Sequence, residues 1–440
     1  MPRVLIVTSM FLPYVAADTH RARLLAAGLP AHGWEVELLV PEDSFQLSGH
    51  YEPNCALLAV EAPVHRAKSE WSGLFELLNS RSLGWRAYYP LRRLGDALLS
   101  DKRFDLVYFS CSQPNFFHLG VGWRQRFGTP FVVDLHDPWY SERLSKAKHL
   151  SRWKRIVANR VAATLERVTI KHASGVVSVS SKYLDALNAR YRKCDFTALR
   201  PAHQAVIPFS ASDEDFVAAR KVAFPEVGSR TPETRTIVYT GAGGSIMEAS
   251  LRRICRLLAE ARKHSPSLLA GIRIQLFGTE PSAPGRVPTL TRVIADEDLS
   301  GLMIEYPARL SYLEALRRVM DADGLLVLGV DDPAYSPSKL FLYGLSGKPL
   351  LACMRTGSVV DEYFDDAPDL GHLTHFGGAC PDAVSESLPT MFAFLQQVAR
   401  REVIDRRKML AGWLAPAMAR RHAEFFETCL ANAAAVGVYP

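Results

Sequence analysis

The chain has 440 residues, too long for one hydrophobic core and enough for two domains of about 200 residues each. Its 48% hydrophobic and 22% charged residues exclude a disordered chain, and no apolar run approaches the ~20 residues of a membrane-crossing helix. The net charge of +6 is modest, and the seven scattered cysteines form no CxxC pair, which points to reduced thiols in a cytoplasmic protein rather than disulfides or a zinc site.

The N-terminus enters an apolar strand over residues 4–9 at once, so no secretory leader is expected. A helix over 21–32, ending at Gly33, leads to a strand over 35–40, and 56–60 reads as a third strand. Residues 71–99 mix Trp71, Phe75, Trp85, Tyr88 and Tyr89 with Arg86, Arg92 and Arg93, a pattern of either a core helix on the sheet edge or an interfacial helix. Strand-like runs recur at 105–110, 131–135 and 175–179, each followed by a helical pattern. Nine Lys or Arg residues lie between Arg143 and Lys171 against one acid, Glu166; such a run suits solvent or an anionic membrane surface, and no nucleic-acid motif accompanies it. Alternation of strands and helices predicts parallel sheets.

Residues 206–235 break the rhythm with Pro, Ser and acidic residues. The alternation restarts with strands over 236–240, 272–278, 302–306, 324–330 and 349–353, and helices over 248–263 and 313–320. An amphipathic stretch, 400–431, closes the chain. The expected division is a first domain over 1–208, a linker over 209–235, a second domain over 236–405, and a helical segment over 406–440 with a return to the first domain left open.

Residues 336–352, SPSKLFLYGLSGKPLLA, are the most telling. They place a short helix near Ser338 at the carboxyl end of a parallel strand, where unpaired N–H groups suit a phosphate. Lys339 is the expected cation, with Ser338 and the amides of Lys339 and Leu340 as the cradle. Gly241, Gly243 and Gly244 follow a strand and allow close backbone approach, but Ile246 stands where a dinucleotide fingerprint needs another glycine. Gly278 ends the next strand and is expected to line the same site. Asp134-Leu135-His136-Asp137-Pro138-Trp139 ends an apolar strand, where open α/β sheets carry ligand groups, and Asp18 and His20 read as solvated or capping.

The 336–352 segment resembles the corresponding stretch of family-4-type (group 1) glycosyltransferases of the GT-B fold. Residues 3–40, 105–139, 171–181 and 206–208 are similar to other segments of that family. The resemblance implies an α/β GT-B protein, with two Rossmann-like doubly wound domains facing a cleft. It implies metal-independent, cofactor-free, retaining transfer from a nucleotide-diphosphate sugar to a hydroxyl acceptor for a polysaccharide, glycolipid or metabolite; the basic and aromatic stretches leave open a lipid-linked acceptor and, for a cytoplasmic protein, attachment at the inner face of a membrane. By the same resemblance His136 or Asp137 faces the reacting sugar, Arg309 and Tyr343 join the donor set, and Pro13, Ala16 and Ala17 form the loop near phosphate and acceptor. The chain departs from the family at Leu342, where a glutamate grips the ribose, at the two alanines, and after Gly241, where the first basic residues are Arg252 and Arg253. These departures keep two alternatives open: a catalytically impaired GT-B assembly partner and a nucleotide-sugar epimerase.

Overall fold

The structure, a computed structural model, describes residues 1–42, 50–68, 83–139, 152–225, 231, 233–279, 289–378 and 383–435. Trp71 and Phe75, and the basic residues Arg143, Lys146 and Lys148, lie outside the described residues. The chain divides into two compact units. The first comprises residues 1–51, 59–208 and 415–440, and the second comprises 52–58 and 209–414.

The first unit is built on seven parallel strands: β1 (Arg3–Val7), β2 (Glu35–Pro41), β3 (Val64–Ala67), β4 (Leu106–Ser110), β5 (Phe131–Leu135), β6 (Gly175–Ser178) and β7 (Gln204–Val206). Their order is β3-β2-β1-β4-β5-β6-β7. The six parallel strands of the second unit are β8 (Arg235–Thr240), β9 (Ile272–Phe277), β10 (Met303–Tyr306), β11 (Gly324–Leu328), β12 (Leu350–Arg355) and β13 (His372–Phe376). Their order is β10-β9-β8-β11-β12-β13. Each sheet therefore reverses its strand order once, between β1 and β4 and between β8 and β11. These reversals are the topological switch points where open parallel sheets leave a crevice at the strands' carboxyl ends. Both units are Rossmann-like. The central strands are buried on both faces, as their continuous apolar sequences require.

Several boundaries differ from the sequence reading. Residues 56–60 form no strand: Cys55–Leu58 is a 3-10 turn that clusters with the second unit, and the third strand is Val64–Ala67. Its sequence, VHRA, lies on the sheet edge, where only one residue is fully covered, so it lacks the apolar run of a central strand. Within the expected linker, Asp213–Arg220 forms a helix of the second unit whose Asp215 accepts a hydrogen bond from Tyr312 at 2.6 Å. The closing stretch is interrupted: Met409–Trp413 is a 3-10 turn of the second unit, and the helix Ala415–Ala435 belongs to the first.

Two helices position the first unit's site. The helix α1 (Ala17–Gly28) follows β1, and the C-terminal helix α2 (Ala415–Ala435) packs along it. The contact is close because Gly28 has no side chain: a Cβ there would stand 2.6 Å from that of Ala419. Phe426 of α2 packs edge-on to Trp34 at 5.4 Å and tilted on Tyr108 at 5.0 Å.

Candidate functional site

In the second unit the expected donor residues converge on the switch point. Gly241 leaves β8 with φ +139°, and Gly278 leaves β9 with φ +75°, conformations that favour glycine. A Cβ on Gly278 would lie 3.7 Å from the Arg309 Cα and 3.8 Å from the Gly241 nitrogen, so the loops after β8, β9 and β10 meet there. Lys339, from the loop after β11, donates to the Thr240 carbonyl, and its Nζ lies 4.7 Å from the Tyr239 ring centroid. A Cβ on Gly241 would collide with that ammonium, so the glycine makes room for Lys339. The loop is braced from beneath. Tyr239 donates to the Ala242 carbonyl at 2.6 Å, and Tyr343 accepts from the Thr240 N–H at 3.1 Å.

The electrostatics of this cluster are one-sided. Burial, and after it the positive charge of Arg309, pushes the Lys339 pKa down to about 8, and no acid offsets them among the described residues. Burial also lowers the Arg309 pKa. A buried lysine beside an arginine, with no acid offsetting the lysine among the described residues, is poised for an anion.

Three expected contacts have other employment. The Leu340 amide donates to the Pro337 carbonyl at 3.1 Å and its side chain is buried, because the helix is only Leu340–Leu345, with Ser338 exposed and Lys339 at its cap. The Gly241 and Gly243 amides donate to the carbonyls of Phe277 and Thr279, at 2.9 and 3.0 Å. Gly244, with φ +67°, opens the 3-10 turn before the helix Glu248–His264. Tyr343 is buried, so it supports the loop rather than lining it. Arg252 pairs with Glu248 and Asp296, and Arg253 donates to Ser387 Oγ at 3.0 Å. Neither is directed to the glycine loop by these bonds. Leu342, in the family's glutamate position, is buried.

In the first unit the switch point is lined by hydroxyls and carboxylates. Ser9, after β1, and Ser112, after β4, lie 3.3 Å apart. Both donate to Asp18 of α1, Ser112 at 3.3 Å. Asp18 is 2% exposed and also accepts from the Thr19 N–H at 3.1 Å, so it is a buried acceptor rather than a solvated residue. His20, half-buried, accepts from Arg23. The loop before α1 includes a cis Leu12–Pro13 bond, and Pro13, Ala16 and Ala17 are all half-buried. Thr19 Oγ1 holds that loop, accepting from the Ala16 N–H at 3.2 Å and standing 3.1 Å from the Tyr14 carbonyl.

Behind this crevice lies a charge network that the sequence did not reveal. Asp134, at the end of β5, is fully buried and ion-paired to Arg21 of α1. It accepts from Tyr108 Oη at 2.6 Å, and His136 Nε2 stands 2.9 Å from its Oδ2. His422 of α2 completes the set, with Nε2 3.0 Å from Tyr108 Oη and 3.4 Å from Arg21 Nη2. Burial would raise the Asp134 pKa, but Arg21 and then His136 hold it well below the usual carboxylate range. Burial, then Arg21, pushes His422 down to about 3, so it is neutral. His136 is 7% exposed and its ring is oriented by Asp134, while Asp137 is exposed. Among the described residues no group of three or more His, Cys, Asp or Glu is arranged to hold a metal ion, and no helix is long and apolar enough to cross a membrane.

Residues 19–209 match the family described as glycosyl transferase 4-like domain. No curated protein matches the chain. Among solved structures, Anabaena Alr3699/HepE in complex with UDP-glucose is 15% identical, with TM-score 0.58 over 97% of this chain and 99% of that one. WaaG, a glycosyltransferase involved in lipopolysaccharide biosynthesis, is 13% identical, with TM-score 0.55 over 99% and 100%. A putative UDP-N-acetylglucosamine 2-epimerase from Listeria monocytogenes is 10% identical, with TM-score 0.52 over 98% and 97%. Such distant likenesses show the two-domain GT-B fold, and residues 19–209 are similar to the glycosyl transferase 4-like domain.

Proposed function

We propose that the chain transfers a sugar from a nucleotide-diphosphate donor, bound at the second unit's switch point, to a hydroxyl acceptor bound by the first. The observation that carries this reading is the meeting of Lys339 and Arg309 with Gly241 and Gly278 at one set of strand ends, with no acid offsetting the lysine. In transfer the anomeric carbon–oxygen bond to the diphosphate breaks, and a bond to the acceptor oxygen forms as its proton leaves. Charge grows on the diphosphate, and fixed cations in a site shielded from water stabilise it. Arg309 stands in for the basic pair that the glycine loop lacks, and no metal or cofactor is assigned a part. HepE was solved in complex with UDP-glucose, which favours a nucleotide-sugar donor here.

The first unit's crevice suits the hydroxyl-bearing part of an acceptor. Ser9, Ser112 and Asp18 offer hydrogen-bonding groups without excess positive charge. His136, its ring held by Asp134, is the group we assign to orienting the acceptor hydroxyl, with Asp137 beside it at the surface. Retention of anomeric configuration rests on the resemblance of residues 336–352. A peripheral membrane location draws on the helix Arg152–His172, whose Trp153, Ile156, Val157 and Val161 are exposed amid its basic sequence.

Calorimetric titration of the purified protein with UDP, GDP, ADP and dTDP tests the donor site. One nucleotide should bind, and Lys339→Ala should weaken it about 10- to 100-fold, the worth of a charge-assisted hydrogen bond. Absence of binding by all four would remove the donor reading. The assembly-partner alternative, favoured by the buried Leu342 in the ribose-gripping position, would then stand.

A further inference from the structure

A second cationic site lies in the first unit, away from its hydroxyl-lined crevice. A cavity of about 820 Å³ opens between the end of the edge strand β3 and the helix Tyr88–Asp101. That volume is within the ~300–1,000 Å³ of small-molecule sites. Its walls carry Arg66 and Lys68 from the strand side, Arg92 and Arg93 from the helix, and Arg126. The one acid among the lining residues, Asp96, is already engaged: it accepts from Arg126 at 2.7 Å and from the Trp123 indole at 2.9 Å. Four further cations thus line the cavity, and Asp96 is the one carboxylate among its described lining residues. Tyr89, 61% exposed, adds an aromatic face at the rim.

The position of the cavity links it to the reaction side of the sheet. Arg66 donates to the Leu12 carbonyl, in the loop that runs into Pro13 and the start of α1. The same loop joins Ser9 to Asp18, two of the three residues of the crevice that Ser112 completes. A molecule presenting a hydroxyl to that crevice could therefore place a remote charged group in the cavity.

We infer that this cavity binds a phosphate-bearing group of the acceptor, apart from the donor cradle of the second unit. The inference rests on the proposed transferase reading for the word acceptor; the anion site itself stands on the cavity and its charges. Arginine forks match phosphate oxygens in pairs, and several cations on two elements suit a mono- or diphosphate better than a single carboxylate. The phosphate could belong to a soluble sugar phosphate or to a lipid headgroup, and the two sources can be told apart.

The test uses the full chain carrying Lys339→Ala, so that donor-site binding does not contribute. Two probes are titrated: inorganic pyrophosphate in solution, and vesicles of phosphatidylglycerol in phosphatidylcholine. The doubly charge-reversed variant Lys68→Glu/Arg92→Glu should weaken binding about tenfold or more, because it removes charge-assisted hydrogen bonds. Arg103→Glu, at a side chain 91% exposed in the same unit and outside the cavity, controls for net charge and should have little effect. Pyrophosphate binding lost in the double variant supports a soluble phosphate, and vesicle binding lost without pyrophosphate binding supports a headgroup. Binding of neither probe, or equal weakening by Arg103→Glu, overturns the inference. Nucleotide binding by the Lys68→Glu/Arg92→Glu protein with native Lys339 is read separately, so failure of the cavity and failure of the donor reading give different patterns.

Discussion

The two switch points have the same backbone plan and opposite electrostatics. After β1 and β4 the crevice presents Ser9, Ser112 and Asp18, and the charges behind it are matched: Arg21 against Asp134, with Tyr108 and His422 neutral. At the second switch point the loops after β8, β10 and β11 bring together Gly241, Arg309 and Lys339; both cations have pKa values lowered by burial, and Lys339 is offset by no acid among the described residues. The difference shows which charges a fold needs for itself and which it holds for a ligand. A buried ion pair satisfied within the protein positions its neighbours. A cation kept where its charge is disfavoured has to be completed by something else.

The largest effect should come from breaking the matched set. Asp134→Asn removes the partner of a fully buried arginine and should destabilise the protein by about 3–5 kcal/mol, measured by urea denaturation of the variant and the wild type. Little loss would mean that Arg21 is compensated by other groups, and the contrast between the switch points would weaken. Gly241→Ala should come next. The added Cβ meets the Lys339 ammonium, and φ +139° is unfavourable for alanine. A stability loss of about 1–3 kcal/mol is expected from strain, together with nucleotide binding as weak as in Lys339→Ala. A Gly241→Ala protein that still binds nucleotide would show that Lys339 can leave its seat on Thr240 without cost, and that the seat is not the site.

Much of the frame was legible because buried parallel strands spell themselves out. The runs at β1, β4, β5, β8 and β11 are continuous and apolar, and a glycine follows β8 and β9 where the chain must turn with positive φ. Gly241 and Gly278 were legible for the same reason, since each immediately follows a strand, whereas Arg309 and Lys339 were marked by resemblance and by the 336–352 segment. The edge strands β3 and β13, spelled VHRA and HLTHF, carry no such signal because one side of each is half-covered. The matched network was hidden by distance along the chain. Arg21 and Asp134 are 113 residues apart, and His422 is 401 residues from Arg21, so no spacing rule joins them. The only local hint was an apolar strand ending in an acid followed two residues later by histidine. Asp18 was misread because a carboxylate in a first helical turn ordinarily faces water, whereas here two serines from neighbouring strands enclose it.

The matched set should also respond to acid. In the unfolded chain His422 titrates near its ordinary 6.5, while in the fold it stays neutral down to about 3. Between those values the unfolded state binds more protons, so stability falls as pH falls through that window. Asp134 adds to the loss below its ordinary value of 3.8, because its folded pKa is depressed. Urea midpoints measured from pH 7 to pH 4 should therefore decline, and His422→Gln should flatten the slope by removing the group that titrates. An unchanged slope would mean that His422 is charged in the fold and that the network is not neutral at that end.

Lys339 predicts the smallest effect and the opposite pH direction. In the free protein Lys339 loses its proton near pH 8. A bound diphosphate favours the ammonium and raises that pKa, so binding above pH 8 must take up a proton. Affinity should be flat below pH 8 and fall by up to about tenfold per pH unit above it, until the raised pKa of the complex is reached. Calorimetry at pH 8.5 in two buffers of different ionisation heat would detect the proton uptake directly. In Lys339→Ala both the uptake and the decline should vanish. If they persist, a group other than Lys339 carries the charge for the nucleotide.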